Sequence, residues 1–568
     1  TRGEISLKIS LVRLFVCVIL ILGASSSFAR DYYVATNGLD SNNGLSWSTP
    51  YKTLTNVFGI ATNDSFIYLR GGQTHYTSNT LVWKTNNLTL LGGYEGTNAS
   101  SPGAYNETNW PSLIVYTNAN TNRVFWMSGA TNPTLGRVIV TGGRLTNTIT
   151  SFGAGMYVDT CTNVTIFSTK FLTNMGNAFG AGLAITNSFA TISNCVFQDN
   201  TLTNLTLQTQ GGGVLVMRGI VNVYNSTINN NFGCGMYFVN STNSLISGCT
   251  ISSNRAYNMG GGVFLTNSVV TITGCVIRAN TATNNANQYG GGLYMAGAAL
   301  GASVQVFDTI IDNNNGGGGV WVDSSTNSLF VRCSISSNRA IQYGGGMYLT
   351  NSVVSISGCV IRANSLTNGA VLRSGGGLYV RGNPVQVFDT HIDGNDGGGV
   401  YLDNSTNSLI SGCTINSNLA SQYGAGVFMT NVYVTITNCE FRANILTNTL
   451  GITYGAGVYQ TNGEALYVNT LFDNNRSLAV SPQGLSVYLA TGTNRFLNCT
   501  FTRHNVEGIR QQQLAGSLVE IRNSILWDNG DSLIGVPPPN LYYSDIREGD
   551  NAGANGCIST DPLFADYF

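Results

Sequence analysis

The chain has 568 residues, of which only 9% are charged, against roughly 25% in ordinary globular proteins. Its 26 Lys and Arg residues nearly balance its 27 Asp and Glu residues, so no basic field is expected to attract a nucleic acid. A hydrophobic fraction of 43% allows a sizeable core and excludes a disordered chain, while only 10 prolines exclude a collagen helix. The composition indicates an ordered protein whose surface polarity comes from Asn, Thr, Ser and Gly.

The N-terminus has the pattern of an export signal. Lys8 and Arg13 precede an apolar run over 14–22, and small residues follow up to Ala29. This pattern predicts a signal peptide over residues 1–29 that is cleaved after Ala29. The run is short for a membrane span, although an uncleaved anchor is the alternative. We therefore expect export, with no insertion of the rest of the chain into a membrane.

Gly-rich clusters open a repeat unit many times along the chain. Each unit continues with a short apolar strand, a Thr/Asn/Ser turn, an alternating strand and the pattern Cys-x-Ile-x-x-Asn. The opening glycines are Gly155, Gly182, Gly213, Gly235, Gly262, Gly292, Gly319, Gly346, Gly377, Gly399, Gly426 and Gly457. A longer period of 80 to 84 residues is superimposed, because the segment ending at Cys249 recurs in near copy up to Cys333 and Cys413. Blocks of three units were therefore duplicated.

Short strands, glycine corners and the lack of a helical period predict an all-β solenoid with one turn per unit of about 27 residues. Equivalent strands of roughly 13 to 16 turns should then pair in parallel. Asn residues near the end of each unit should form a ladder of amides along one corner. They are Asn200, Asn231, Asn254, Asn280, Asn314, Asn338, Asn364, Asn395, Asn418, Asn444 and Asn475, with His504 at the next position.

These repeats resemble right-handed parallel β-helix proteins of the pectate-lyase-like superfamily, and their Gly-Gly-Gly-Val and Ile-x-x-Asn elements are similar to polymorphic outer-membrane protein repeats. The segment 31–54 resembles the opening of secreted bacterial β-helix proteins, where a helix caps the barrel. For that helix the sequence predicts Thr49 as N-cap, Pro50 in the first turn, and Leu54, Val57 and Phe58 as the apolar face.

The resemblance implies a bacterial extracellular or outer-membrane location. We divide the chain into an N-terminal cap and first strands over 30–125, a parallel β-helix over 126–530 and a C-terminal tail over 531–568. The tail is similar to the last coil of surface-anchored β-helix proteins, and we expect an anchor to follow it in the natural protein. We expect a monomer.

Signatures of metal, phosphate or serine-nucleophile chemistry are absent from the sequence. The three His residues have no metal spacing, and there is no Cys-x-x-Cys and no Gly-Lys pair. The lyases of the superfamily hold calcium with clustered Asp, so calcium is implied by the resemblance alone and no other cofactor is expected. The stacked cysteine pairs are buried free thiols or disulfides, and the sequence leaves both open. These pairs are Cys249/Cys275, Cys333/Cys359 and Cys413/Cys439.

An aromatic residue stands two positions after the opening glycine in nine consecutive units. These residues are Tyr237, Phe264, Tyr294, Trp321, Tyr348, Tyr379, Tyr401, Phe428 and Tyr459. Their sequence neighbours are the inward apolar positions, so the rings should face outward in a strip with about 4.8 Å between turns. The strip is either a glycan platform or a structural ladder that stacks on itself or lies under loops. If the strip is a glycan platform, replacing both Trp321 and Tyr348 by Ala should weaken the retention of polysaccharide and hardly change the stability of the protein.

Charged residues follow the strip two positions further on. Asp323, Arg381 and Asp403 should also face outward, with Arg381 and Asp403 one turn apart and able to form an ion pair. Asp323 and Asp403 are three turns apart, about 14 Å, which exceeds the carboxyl separation of inverting or retaining glycosidases. A second outward series predicts the ion pairs Arg278–Asp312, Arg362–Asp393 and Arg442–Asp473.

The sequence favours a non-catalytic, adhesin-like surface protein that binds polysaccharide or a cell-surface glycan through the strip. Its catalytic residues, if it has any, cannot be named from the sequence. The alternatives are a polysaccharide lyase or glycoside hydrolase, and a purely structural stalk. Clustered carboxylates at the strip would favour the enzyme, an open aromatic groove the binding protein, and covered rings the stalk.

Overall fold

The computed structural model describes residues 29–97, 102–118, 121–146, 151–204, 210–257, 259–283, 289–297, 301–367, 375–512, 517–537, 540–549 and 551–564. The predicted signal peptide lies outside the described residues, apart from Ala29. The chain forms an all-β parallel solenoid of about 16 turns with about 27 residues per turn, as the repeats predict. Among the described residues, no helix has the length and hydropathy needed to cross a membrane.

Each turn contributes one strand to each of three parallel sheets. The first sheet follows the opening glycines and contains Leu81–Trp83, Phe125–Ser128, Met156–Asp159, Leu183–Thr186, Val214–Met217, Met236–Val239, Val263–Thr266, Leu293–Ala296, Val320–Asp323, Met347–Thr350, Leu378–Arg381, Val400–Asp403, Val427–Thr437, Val458–Val468, Val487–Leu489, Glu507–Gln511 and Asp531–Ile534.

The second sheet continues each turn after a short corner. It contains Asp31–Val34, Phe66–Arg70, Thr89–Tyr94, Thr134–Gly136, Val164–Phe167, Phe189–Ser193, Ile220–Tyr224, Ser244–Ser247, Val269–Thr273, Ser303–Phe307, Ser328–Val331, Val354–Ser357, Val385–Phe388, Thr406–Ser411, Thr493–Leu497, Leu518–Arg522 and Leu541–Tyr542. The long strands Val427–Thr437 and Val458–Val468 run through the corner and belong to both sheets.

The third sheet precedes the Asn corner. It contains Gln73–Thr77, Ser112–Tyr116, Ile139–Thr141, Lys170–Leu172, Val196–Gln198, Thr227–Asn229, Thr250–Ser252, Val276–Arg278, Ile310–Asp312, Ser334–Ser336, Val360–Arg362, His391–Asp393, Thr414–Asn416, Glu440–Arg442, Leu471–Asp473, Thr500–Thr502, Ile525–Trp527 and Asp545–Ile546.

Short strands follow the Asn corner in some turns. They are Arg144–Leu145, Met175–Gly176, Thr201–Leu202, Arg255–Ala256, Thr281–Ala282, Arg339–Ala340, Ser365–Leu366, Leu419–Ala420, Ile445–Leu446, Ile452–Tyr454, Arg476–Ser477 and Ser481–Gln483. Parallel pairing of the main sheets thus begins before residue 126 and continues past residue 530, into the segments that we assign to the cap and the tail.

Side-chain alternation within the strands builds one continuous core. In Val269–Thr273, Val270 and Ile272 are fully buried, whereas Thr271 and Thr273 face outward and are partly exposed. The corner after this strand needs a left-handed residue, which Gly274 supplies with φ of +59°. The inward residues of all three sheets meet in a single apolar cluster along the solenoid.

The Asn ladder is confirmed, and it begins one turn earlier than predicted, at Asn174. Asn338 shows its bonding: its Nδ2 donates to Asn364 Oδ1 at 3.1 Å and to Ile311 O at 2.8 Å, and its backbone N–H also donates to Asn364 Oδ1. The left-handed residue at this corner is the one before each ladder position, such as Ala363 with φ of 52°. The ladder position therefore requires Asn, because both the NH2 group and the carbonyl oxygen of its side chain form hydrogen bonds in the buried corner.

The N-terminal helix spans Leu54–Ile60 with Thr53 as N-cap, so the prediction of Thr49 as N-cap and Pro50 in the first turn is wrong. Thr53 Oγ1 accepts the Asn56 N–H at 3.3 Å. The reason is that the preceding residues extend the edge of the second sheet, where Tyr51 N donates to Tyr33 O at 2.9 Å. The prediction that Leu54, Val57 and Phe58 form the apolar face of the helix is correct.

That face closes the N-terminal end of the core. Leu54 and Val57 are buried in the core cluster, and Phe58 packs edge-on against Trp83 with ring centroids 5.4 Å apart.

The cysteines form a second internal ladder. The three stacked pairs Cys249/Cys275, Cys333/Cys359 and Cys413/Cys439 are buried thiols without a disulfide, which is the first of the two alternatives that the sequence leaves open. The Cys249 N–H donates to Cys275 Sγ at 3.4 Å, and the Cys249 thiol donates to Val223 O at 3.6 Å. Burial raises the pKa of the Cys195 thiol to about 12, which keeps it protonated.

Replacing Asn338 by Leu should lower the free energy of unfolding by about 1–3 kcal/mol, because the buried amide of Asn314, which donates to Asn338 Oδ1 at 3.0 Å, loses its acceptor. The control is Gln386→Leu, which introduces the same side chain at an exposed strand position. Chemical denaturation should show the loss for Asn338→Leu only. Equal stability of the two variants would contradict the structural role of the ladder.

His504 continues the ladder with a ring in place of an amide. Its Nδ1 lies 2.7 Å from Asn529 Oδ1, and its Nε2 lies 3.4 Å from the Nδ2 of Asn475. The first contact requires Nδ1–H to donate, and the second requires Nε2 to accept, so the ring is neutral. Burial lowers the pKa of His504 to about 4 from the ordinary 6.5, and the nearby Arg503 also lowers it while Asp473 and Asn529 act in the opposite direction.

The pKa of His504 is lower in the folded protein than in the unfolded chain, so between pH 6.5 and 4 the unfolded chain binds the proton more readily. The full stability is therefore present above pH 6.5 and is lost as the pH falls from 6.5 toward 4. The loss attributable to His504 should reach roughly 3 kcal/mol near pH 4. His504→Asn restores the amide ladder without a titrating group. The difference in stability between parent and variant should therefore change with pH over this window, and a constant difference would show that the ring is charged or exposed.

Candidate functional site

The nine predicted rings form one uninterrupted column on the outer side of the first sheet. Strand register pairs each ring with the next, from Tyr237 with Phe264 to Phe428 with Tyr459. Adjacent ring centroids are 3.8 to 6.5 Å apart, the closest being the stacked pair Trp321 and Tyr348. Tyr488 extends the column by one turn, with its ring 5.6 Å from that of Tyr459.

A second row of rings, which the sequence analysis did not identify, lies over this column. It consists of Tyr289, Tyr343, Tyr423 and Tyr454, each directly before a glycine with positive φ that starts the next turn. The ring of Tyr289 meets Trp321 edge-on at 4.4 Å, and the ring of Tyr423 lies 4.9 Å from that of Tyr459. The Tyr-Gly dipeptide that recurs at the start of these turns is the sequence pattern from which this second row could have been predicted.

The two rows bury much of each other. Tyr379 is 4% exposed, Tyr294 6%, Tyr348 7% and Phe264 8%, and the other five rings are partly buried. Burial raises the pKa of Tyr401 and of Tyr459 to about 12, so both phenols stay protonated. Between the two alternatives that the sequence left open, the geometry is that of a covered, self-stacked ladder. The premise that both rings are exposed does not hold, because Tyr348 is buried between Trp321 and Tyr379 and Trp321 is partly buried, so we now expect Tyr348 to contribute to stability.

The charged residues beside the strip are only partly brought together. Arg381 Nε lies 3.4 Å from Asp403 Oδ2, so the predicted ion pair between adjacent turns is confirmed. The Tyr379 hydroxyl also donates to Asp403 Oδ2, at 3.5 Å. Asp323 lies three strands from Asp403 and accepts a hydrogen bond from the Ser324 hydroxyl at 2.9 Å. The about 14 Å between the two Asp positions is too wide for the paired carboxyls of a glycosidase.

The second charged series forms two of its three predicted ion pairs. Arg278 binds Asp312 through two hydrogen bonds of 2.9 and 2.8 Å, and Arg442 Nε lies 2.9 Å from Asp473 Oδ2. Asp473 also binds Arg503, which the sequence analysis did not identify.

Arg362 and Asp393 are aligned in register, but no ion pair joins these two described residues. Within the described ranges, no three His, Cys, Asp or Glu residues are grouped so that they could hold a metal ion.

Replacing Tyr348 by Ala should destabilise the protein by about 3 kcal/mol, since the change removes a buried ring and leaves a gap between Trp321 and Tyr379. The matched control is Tyr76→Ala, because Tyr76 is 65% exposed. Thermal unfolding of the two variants beside the parent measures the difference. A melting temperature of Tyr348→Ala as high as that of the control would contradict the buried ladder.

Comparison with solved structures gives relatives of low identity. The Geobacillus virus E2 protein ORF18 is 15% identical over 52% of this chain and 49% of its own, with a TM-score of 0.32, so this chain spans about half of its length. Pectate lyase Pel9A is 17% identical over 58% of this chain and 78% of its own, with a TM-score of 0.32. PfbA, a surface adhesin of Streptococcus pneumoniae, is 12% identical over 67% and 84%, with a TM-score of 0.28.

A search of curated proteins found no match to the chain. A family model described as right handed beta helix region matches residues 139–305 and 376–537, which together make up more than half of the chain. These residues include most of the solenoid turns described above. The chain belongs to the family of right-handed β-helix proteins.

Proposed function

We propose that this protein is exported to the cell surface and acts there as a non-catalytic, adhesin-like protein that binds glycan. The observation that carries the proposal is the outer surface of a long solenoid with very few charged residues. The covered column of aromatic rings joins nine successive turns on the outside of the solenoid and supports only the stiffness of the rod. A solenoid of about 16 turns is about 75 Å long, so a stiff rod of this kind can hold a binding face away from the surface that carries it.

The chemistry of the outer surface supports a glycan as ligand. Charged residues are few, and Thr, Ser and Asn recur at outward positions, as at Thr165, Thr191 and Thr271 on the second sheet. Hydroxyl and amide groups both donate and accept hydrogen bonds, which matches the hydroxyl groups of a sugar chain. Neutral polar surface of this kind also lacks the positive charge that attracts a phosphate backbone.

The aromatic strip has mainly a structural part in this proposal. The partly exposed rings are Tyr237, Trp321, Tyr401, Phe428 and Tyr459. Stacking of a sugar on Trp321, Phe428 or Tyr459 would require displacement of Tyr289 or Tyr423. Tyr237 and Tyr401 already stack on their neighbours in the column. We therefore assign the strip to the stiffness of the rod and expect the principal glycan contacts elsewhere on its side.

Incubation of the purified protein with a panel of polysaccharides tests the proposal, with retention and released unsaturated or reducing sugars measured together. We expect at least one polysaccharide to be retained without any product. Release of sugar would favour the lyase or hydrolase alternative. Retention of none would favour the purely structural stalk.

A further inference from the structure

An open cleft lies on the outer face of the second sheet, away from the aromatic strip. Its volume is about 450 Å³, within the range of about 300–1,000 Å³ that is typical of ligand pockets. Four adjacent strands line it, from Thr406–Ser411 through Val427–Thr437 and Val458–Val468 to Thr493–Leu497. The cleft therefore crosses successive turns of the rod.

The cleft coincides with a departure from the block duplication. The first two copies have Asn-Ser-Val at 267–269 and 351–353, whereas the third has Asn-Val-Tyr at 431–433. Ser268 Oγ in the first copy donates to Thr266 O at 2.8 Å and accepts the Ser241 N–H at 3.1 Å, which fixes the corner between the sheets.

Val432 has no hydroxyl to make these bonds, and the strand Val427–Thr437 runs through the corner without a break. The change places Tyr433, which is 51% exposed, where the other copies have Val.

The next turn departs from the repeat at the neighbouring position. Register pairs Tyr433 with Glu464, whereas Val269 pairs with Ser303 in the first copy, and the second copy has Pro384 there. Glu464 is exposed, and its carboxylate has no hydrogen bond or ion pair with any residue in the described part of the chain. Thr493 follows in register on the next strand.

A second row of residues, beside the row of Tyr433, Glu464 and Thr493, supplies the floor of the cleft and a hydrogen-bond donor. Leu409, Thr435, Leu466 and Arg495 are in register on the four strands. The first three are short or aliphatic and partly buried. Arg495 Nε lies 3.3 Å from Glu520 Oε2, and this ion pair orients the guanidinium and balances its charge.

Resting on the proposed glycan binding, we infer that this cleft is a binding site for an uncharged oligosaccharide. Tyr433 presents an exposed ring to the apolar face of a pyranose, Glu464 accepts hydrogen bonds from sugar hydroxyls, and Arg495 donates to them. The carboxylate of Glu464, which is unpaired among the described residues, repels the carboxylate of a uronate, whereas Arg495, whose charge Glu520 balances, offers a sugar hydrogen-bond donors with little net charge. A neutral sugar meets both groups without repulsion and stacks over the aliphatic floor.

The variants Tyr433→Val and Glu464→Ser restore the residues of the first copy and are therefore compatible with the coil. The control is Phe189→Val, because Phe189 is 50% exposed at the same outward position of the second sheet in an earlier turn. The probes are soluble glucan, galactomannan, polygalacturonate and chitosan, with affinity measured by retardation in gels that contain them and stability by thermal unfolding.

We expect the parent to bind a neutral probe more tightly than either charged one, and each cleft variant to lose at least tenfold in affinity with an unchanged melting temperature. Phe189→Val should bind like the parent. Preference for polygalacturonate or chitosan overturns the inference, and so does unchanged affinity in Tyr433→Val while the parent binds. The second result leaves glycan binding by the protein intact, whereas a parent that binds no glycan at all overturns both proposals.

Discussion

Equivalent strand positions on successive turns of this solenoid lie about 4.8 Å apart, and this stacking constraint governs the rest of the structure. A position accepts a residue only if it can sit beside a copy or a partner of itself. Amides satisfy the constraint in the Asn corner, where Asn364 Nδ2 donates to Asn395 Oδ1 at 3.0 Å. Aromatic rings satisfy the constraint by stacking, and residues of opposite charge satisfy it by forming ion pairs between turns, as Arg278 and Asp312 do. The low charge of the chain follows, since like charges repeated at this spacing would repel.

Stacking on the outside of a sheet produced a second apolar layer. The outward rings of the first sheet would be exposed on a single turn, but tyrosines of the second row, such as Tyr289, Tyr343 and Tyr423, fold back over them. An outward direction therefore does not mean exposure in this protein. The aromatic column stabilises the rod from outside, as the apolar residues do from inside.

The cleft that we propose as a binding site lies where the repeat is broken. Duplicated turns present the same side chains again, so most of the rod has a uniform face. The third block changed a buried corner Ser to Val432 and an outward Val to Tyr433, and it straightened the corner into one long strand. The cleft therefore follows from a few substitutions that remove the serine bonds of one corner but leave the backbone pairing and the Asn ladder in place.

The sequence by itself determined the coil, its period, the Asn corner, the inward and outward alternation and three of the four predicted Arg–Asp pairs, because each depends on local spacing and on stacking between turns. It did not determine the helix start, which the edge pairing of Tyr51 with Tyr33 shifted to Leu54. Only the tertiary structure decided that the aromatic strip is covered and that Tyr433, Glu464 and Arg495 share a cleft. Whether a ring is covered, and whether a surface is concave, depends on how segments about 30 residues apart are arranged in space. The periodicity of residues along one strand carries no information about that arrangement.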